Sequence, residues 1–432
     1  MLTPEYLDEL VESTSTAASE FNMYLTNKVI DSVIAQFEFN GKIAISPSSK
    51  HYIDLMKRSG ILIEDIEREI EKRLPGLDKK IKDAFYQAGY EINENINKMV
   101  SDMVEGDKEL KNYINKAPRL ENLTEDEKKI LNAAYKRTNG EIRNLTKTTA
   151  ANINSQFVKS CDSAWWKSTH GISPATAIRE AIDEVSKHGA TIIYKNKETG
   201  KERRMSVESA VRMCVMTGLN QSNSEITLSA CANAGIKNVL VSSHLGARYT
   251  NKIEPANHMS WQGKIYTLSD KLIKKYGGTE QIKSKNTLAN IFNKLKSWFD
   301  KNKESRYEDF ETVTGYGTIT GLSGINCRHT FFPFYKGMKN NQPQYDSEEN
   351  KQAYDISQKK RAYERKIRES KKKLFEVKHA LKIVNDDKLK EELNQSKETI
   401  ENEFNKYNGQ YTAFCLENGQ KRNEDRLYVG KK

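Results

Sequence analysis

Apolar residues recur at three- and four-residue intervals through roughly the first 170 positions, the pattern of amphipathic helices that each bury one face. The first helix is predicted from Thr3 as N-cap and Pro4 at its first helical position through Leu7, Leu10, Val11, Phe21, Leu25, Ile30, Val33 and Phe37. Gly41 and Pro47 mark its end. Short helices over 49–58 and 61–74 are expected to stop at Gly60 and at Pro75-Gly76, and a longer one carries Ile81, Phe85, Ile92, Ile96 and Met99 toward Gly106. Beyond Pro118, Thr124 and Glu127 stand in capping-box register, so a helix of some 45 residues is predicted to reach about Thr169, with Gly140 as a candidate interruption.

The texture changes at 171. Ser173-Pro174 opens a helix that Gly189 ends, and ATIIYKN, the turn at 197–200 and KERRMSV read as a β-hairpin over 190–207. A helix over about 207–234, with Val211, Val215, Leu219, Ile226 and Ala230 on its apolar face, is expected to end at a left-handed Gly235. NVLVS at 238–242 follows as a short buried strand, and 243–334 has the Gly, His, Asn and aromatic content of loops and short strands. Within that stretch, 279–310 is Lys-rich, helical in pattern and reads as an insertion. Past Pro343, Leu374, Leu381, Leu393, Ile400, Phe404 and Tyr407 flank Asn385-Asp386-Asp387 at heptad-compatible spacing, which suits one long coiled segment or an antiparallel helical hairpin. The fold class is therefore mainly α with a smaller α+β domain: a helical region over 1–170, a central α+β module over 171–340 and a C-terminal helical arm over 341–432.

Composition agrees with long, well-solvated helices. The 432 residues contain only 8 prolines, with none between 175 and 254 or between 344 and 432, while 37% are hydrophobic and 30% charged. No stretch reaches the roughly 18 apolar residues of a membrane span. The acidic start MLTPEYLDELVE lacks the basic and then apolar pattern of a secretory signal, so a soluble protein without a signal peptide is expected. Five scattered cysteines with no CxxC argue against a disulfide framework.

The residues with most chemical potential are Ser243-His244-Leu-Gly-Ala-Arg248, then His258-Met-Ser-Trp261-Gln-Gly263-Lys264, then Gly315-Tyr-Gly317 and Gly321-Leu-Ser-Gly324-Ile-Asn326-Cys327-Arg328-His329. Cys327 and His329 are two apart, so on an extended chain both face one side and Arg328 the other. With His258 and His244 they form a sulfur and nitrogen set that tetrahedral zinc accepts, although no pair has the spacing of a zinc finger or ribbon. Two other readings stand beside that one. The cluster is a hydrogen-bonded structural feature, or Cys327 is a nucleophile with His258 or His244 as base and Asn326 or Asn257 as orienting group, as in a thiol peptidase. A metal-dependent hydrolase built on Cys327, His258 and His329 is the corresponding metal enzyme. The glycines at 315, 317, 321 and 324 read as turns that place Asn326 to His329, because no helix follows them to form a phosphate cradle. Walker A, GxSxG, HExxH and dinucleotide fingerprints are all missing.

Charge is uneven. Lys and Arg number 70 against 59 Asp and Glu, a net +11, and residues 359–382 alone carry +8, followed by −3 over 383–408. Lys359, Lys360, Arg361, Arg365, Lys366, Arg368, Lys371, Lys372 and Lys373 form the basic stretch, either as a solvated or paired helix face or as a non-specific contact with double-stranded DNA.

Ser-His-Leu-Gly-Ala-Arg at 243–248, His258, Trp-Gln-Gly-Lys at 261–264, Thr-Gly-Tyr-Gly at 314–317, and Gly-Leu-Ser-Gly-Ile-Asn-Cys-Arg-His at 321–329 with Pro333 occur in an order that resembles the phage minor capsid protein family (type 2), related to the Mu F-like head-morphogenesis proteins. The resemblance extends to the approach at 170–242, and the Lys-rich 279–310 looks like extra material between two of its motifs. It implies a structural protein of the virion without an enzyme activity. Such a protein is made and assembled in the host cytoplasm, is present in few copies near the portal, and contacts portal and capsid proteins and packaged DNA or is ejected with it. On this reading 1–170 docks on portal or capsid and Arg248, Trp261, Gly263, Gly315, Gly317, Gly324, Asn326 and Arg328 belong to the structural motif.

Overall fold

A computed structural model describes residues 3–104, 123, 125–195, 202–276, 307–335 and 338–429. Thr124, the turn at 197–200, all but the last four residues of the expected insertion, and the side chains of Ile96 and Met99 lie outside the described residues. The chain is mainly helical, with small antiparallel sheets, as the apolar periodicity predicts. Its contacts divide it into two units. The first comprises 1–11, 81–139 and 213–357, and the second 12–80, 140–212 and 358–432. Each unit draws on all three consecutive regions expected from the sequence, because long helices continue through the unit boundaries.

The long helices are α1 (Pro4–Phe37), α2 (Ser48–Val104), α3 (Glu125–Thr169), α4 (Pro174–His188) and α5 (Val207–Ala234). Thr3 caps α1 by accepting the Tyr6 N–H at 3.2 Å. The expected breaks at Gly60 and Pro75-Gly76 do not occur, and α2 is one helix of 57 residues. Pro75 and Gly76 are exposed, so the carbonyl that Pro75 leaves without a donor remains open to hydration. Likewise α3 passes Gly140 without interruption.

In the second unit, strands β1 (Glu38–Phe39) and β2 (Lys42–Ile43) turn through Asn40 and Gly41, both at positive φ, and β3 (Thr191–Lys195) pairs antiparallel with β4 (Glu202–Ser206). The C-terminal region forms a helical hairpin.

In the first unit the sheet is built from β5 (Asn238–Val241), β6 (Ile265–Thr267) and β7 (Phe331–Phe334) in the order β6-β5-β7, antiparallel throughout. All four residues of the central strand β5 are buried, which explains the consecutive apolar Val239, Leu240 and Val241 after Asn238. Pro333, which has no N–H, sits on the edge strand β7. Short helices α6 (His258–Trp261), α7 (Asp270–Tyr276) and α8 (Phe310–Thr314) join these strands, and the core gathers Leu228, Cys231, Val239, Val241, Trp261, Tyr266, Phe310, Leu322, Cys327 and Phe331.

The last two helices are α9 (Ser347–Ile383) and α10 (Asp387–Glu417). Asp386 caps α10, its carboxylate accepting the Leu389 N–H at 3.0 Å. Tyr363 packs on Tyr411 and Lys378 pairs with Glu401, so within the second unit the pair runs antiparallel. Its seam includes Ile367, Tyr411 and Cys415, closed by Leu427 from the final turn.

Candidate metal centre

The sequence places Cys327 and His329 two residues apart just before β7, and the chain there is extended enough that both side chains enter the core while Arg328 turns outward to a bidentate pair with Asp8, at 2.9 and 3.0 Å. His258 opens α6, whose start is held from below. Asn257 donates through Nδ2 to the carbonyls of Thr250 and Lys252, each at 2.9 Å, and Trp261 Nε1 donates to the Pro255 carbonyl at 3.0 Å. Cys327 Sγ lies 4.0 Å from His258 Nδ1 and 3.8 Å from His329 Nδ1. The ligand atoms of His258, Cys327 and His329 all fall within 4.8 Å of one another, and all three residues are buried.

His244 is beside this group but not in it. Its ring meets His329 edge-on with centroids 4.2 Å apart, and Trp261 covers both other histidines, at 4.6 Å from His258 and 4.8 Å from His329.

The loop geometry explains the glycines. A Cβ at Gly324 would lie 2.4 Å from the Ile319 carbonyl oxygen and 2.6 Å from that of Thr318, so only glycine allows the chain to fold back on itself. Gly315 ends α8 in the left-handed region, and Gly263 and Gly317 also have positive φ. Asn326 adopts φ 57° immediately before Cys327, a conformation that asparagine tolerates better than most side chains. Its side chain is exposed, so its part is to set the backbone; it does not orient a base. Asn257 donates through Nδ2 to backbone carbonyls, and both ring nitrogens of His258 face other atoms, the Thr320 carbonyl and Cys327 Sγ, so Asn257 does not orient that ring.

Several partners were not singled out in the sequence. His258 Nε2 is 2.9 Å from the Thr320 carbonyl, to which Arg248 also donates at 3.1 Å, while its other amine reaches the Ile325 carbonyl at 3.0 Å. His329 Nε2 is 3.0 Å from Gln262 Oε1, and that same oxygen accepts the His244 backbone N–H at 3.0 Å. Asn220 Nδ2 bridges the carbonyls of Cys327 and His329 at 2.9 and 3.2 Å. Gln262 lies inside the Trp-Gln-Gly-Lys motif, whereas Asn220 shares its face of α5 with the buried polar residues Asn223, Ser224 and Thr227, so no break in an apolar pattern marks it.

Burial dominates the electrostatics. It holds His258 and His244 down to about 4 and His329 well below the usual imidazole range, with Arg248 adding to the effect at His258 and His329 and Arg328 at His244. The Cys327 thiol is pushed up to about 11, again by burial. At neutral pH the group is thus two uncharged imidazoles around a protonated thiol. A nucleophilic cysteine needs access and a depressed pKa, and Cys327 has neither.

The basic stretch of α9 is largely committed to its own chain within the second unit. Lys360 donates to the Lys421 carbonyl, Arg368 to that of Arg426 and Lys371 to that of Leu427, while Lys372 reaches Asn22 and Lys373 pairs with Glu369. Arg361 is half-buried. Of the nine cations read from the sequence as one polyanion-binding face, Lys359, Arg365 and Lys366 are exposed, so an unpaired basic face of nine is not what the hairpin presents. The cause is the C-terminal segment, whose carbonyl groups accept from these cations.

Among the described residues, no helix is long and apolar enough to cross a membrane. Neither a curated protein nor a solved structure matches the chain. Residues 2–407 match the family described as Phage minor capsid protein 2, a span that covers most of both units and every segment of the His/Cys loop system. The chain therefore belongs to the phage minor capsid protein 2 family, structural proteins of the bacteriophage virion.

Proposed function

We propose that the protein is a low-copy structural component of the phage head, seated near the portal through its N-terminal helices, and that it carries out no chemical step of its own. Family membership supplies the class. The observation that supports docking through this region is an apolar stripe on α2: Tyr52, Ile53, Met56 and Ile61 are 48%, 55%, 68% and 61% exposed. At about 100° per residue, Tyr52, Ile53 and Met56 share one side of the helix and Ile61 lies more than two turns on and further round, and exposed apolar side chains grouped on a head protein are a surface for another protein. The stripe is held in place, because the Tyr52 ring packs near Trp165 at 6.1 Å and Trp165 Nε1 donates to the Ser46 carbonyl at 2.9 Å. A preordered surface loses less entropy on binding.

The test is a double variant, Ile53→Asp with Met56→Asp. Since both side chains are exposed, helix content and melting temperature should be unchanged, while copurification with the portal in proheads should fall at least tenfold. Normal incorporation of the folded variant would sink the portal-docking reading.

Contact with packaged double-stranded DNA is a second part of the proposal, narrowed to the exposed cations Lys359, Arg365 and Lys366. Assembly into the head takes place in the host cytoplasm on this reading. The alternative of a thiol peptidase is disfavoured by the buried, fully protonated Cys327.

A further inference from the structure

We propose that His258, Cys327 and His329 bind one zinc ion through Nδ1, Sγ and Nδ1, and that this ion cross-links the loop system of the first unit. The inference goes beyond the docking role and does not depend on it, since it rests on the geometry of one buried cluster.

The argument begins from a count of protons and lone pairs. His258 Nε2 faces the Thr320 carbonyl, which only accepts, so that nitrogen carries the hydrogen and Nδ1 holds a lone pair. His329 Nε2 faces Gln262 Oε1, and the His244 N–H donating to the same oxygen fixes which end of the Gln262 amide is which. His329 Nδ1 therefore also holds a lone pair. Both lone pairs point at Cys327 Sγ, and the thiol has one hydrogen to give. The S–H has three acceptors within reach, the two imidazole nitrogens and the His329 carbonyl at 4.0 Å, so at least one buried nitrogen is left without a donor whichever way it turns, and a buried acceptor in that state is costly. A hydrogen-bonded cluster of these three groups cannot be completed from within. A cation completes it, because it takes both nitrogen lone pairs and the sulfur at once.

The distances fit. A tetrahedral zinc ion with Zn–S of about 2.3 Å and Zn–N of about 2.0–2.1 Å holds its sulfur and nitrogen ligands about 3.6 Å apart. The observed S···N separations of 3.8 and 4.0 Å exceed that by a few tenths of an ångström, and since all three ligand atoms lie within 4.8 Å of one another, a further approach of the two imidazoles brings the set onto the ion. Thiolate with imidazole is a borderline-soft donor set, which suits zinc and disfavours magnesium or calcium. Each imidazole already has the outer hydrogen bond that orients a metal-bound histidine, one to a backbone carbonyl and one to a side-chain amide. Binding exchanges the Cys327 thiol proton, released to solvent, for the ion; the imidazoles lose none. A water fills the fourth position. His244 stays outside the coordination shell.

The role is structural because the ligands come from segments with little regular structure of their own. His258 ends a long loop after β5, and Cys327 and His329 end the glycine-rich loop that leads into β7. The ligand residues are 2%, 1% and 0% exposed, which suits a cross-link.

The experiment uses the full-length protein, purified, stripped with chelator and titrated with zinc, and in parallel with cobalt(II). We expect one zinc per chain, a higher melting temperature with zinc than without, and a thiolate-to-cobalt charge-transfer band. Cys327→Ser should abolish that band. Gln262→Ala, a positioning change, should weaken zinc about 10- to 100-fold. His244→Ala should retain the metal at full stoichiometry. A folded wild-type chain that retains no zinc and gives no cobalt band would overturn the proposal. So would zinc affinity unaffected by both Cys327→Ser and Gln262→Ala, or a metal lost in His244→Ala but kept in Cys327→Ser. The wild-type spectrum decides by itself if a variant fails to fold.

Discussion

At the scale of the residue, Glu376 is the most consequential ionisable group in the second unit. It is fully buried on α9, and neither carboxylate oxygen has a hydrogen-bond partner among the described residues. Lys372 Nζ is 4.0 Å from Oε1, and the hydroxyls of Ser186 and Thr26 come close enough to lower its pKa a little without reaching hydrogen-bond geometry. Burial outweighs them and pushes the carboxyl up to about 7. A group with a folded pKa above its unfolded value stabilises fully below the unfolded pKa, about 4.3, and loses that contribution as pH rises through the folded one. Read as the difference between wild type and Glu376→Gln, which cancels the opposite trend from the buried histidines of the first unit, the Glu376 contribution should fall by on the order of 2–3 kcal/mol between pH 5 and pH 8 in denaturation experiments. A difference that stays constant over that range would remove Glu376 as a source of pH dependence. Nothing in the local sequence marks this residue. Ile367 and Val377 on the same helix are buried too, but a glutamate in a Lys-rich helix reads as a surface partner until the segments that cover it are known.

At the scale of the element, helix α2 shows where turn signals mislead. Leu55, Leu62, Ile66, Ile70, Ile81, Phe85, Ala88 and Ile92 are buried at intervals that keep one register across Gly60 and Pro75. Glycine and proline act as breaks only when the chain gains by turning, and here a continuous apolar stripe gains more by going straight. Gly60 is exposed and a Cβ there would meet nothing within 4 Å, so Gly60→Ala should raise stability by about 0.5–1 kcal/mol. Gly218 in α5 is the contrast. A Cβ there would lie 2.2 Å from Thr138 Oγ1 and 2.9 Å from Phe85 Cζ, so Gly218→Ala should destabilise by about 1–3 kcal/mol. Opposite shifts in the midpoint of thermal unfolding check both together; a stabilising Gly218→Ala would contradict the packing described. The helices ending at Thr169, His188 and Ala234 and the hairpin after 190 were legible because caps, Pro174, Gly189 and Gly235 act locally.

At the scale of the whole molecule, the net charge of +11 overstates the attraction to DNA. Most of the excess lies in 359–382, and much of that stretch donates to the chain's own carbonyl and carboxylate groups. The proposed DNA contact then rests on about three phosphates. Replacing Lys359, Arg365 and Lys366 together by Gln should lower the slope of log affinity against log salt by about 2–3. Substituting Lys371 should leave the slope nearly unchanged and lower stability, since its ammonium holds the Leu427 carbonyl at 3.1 Å. A slope indifferent to the triple change would remove DNA from the proposed partners.

The division between local and distant information explains what could be read in advance. Periodicity, caps and turn residues by themselves determined a mainly α chain, the buried strand at 238–241, a helical C-terminal region and the shared face of Cys327 and His329, because each depends on residues within a few positions. The tertiary structure alone decided which atoms meet. That Thr320 and Gln262 take the Nε2 hydrogens, and so leave two lone pairs on one thiol, depends on partners 62 and 67 positions away. That Lys371 serves the fold depends on a carbonyl 56 positions along the chain. Spacing sets the side of an element a residue faces, whereas burial and hydrogen bonding, the terms that fix protonation and the availability of a charge, are set by whatever folds over it.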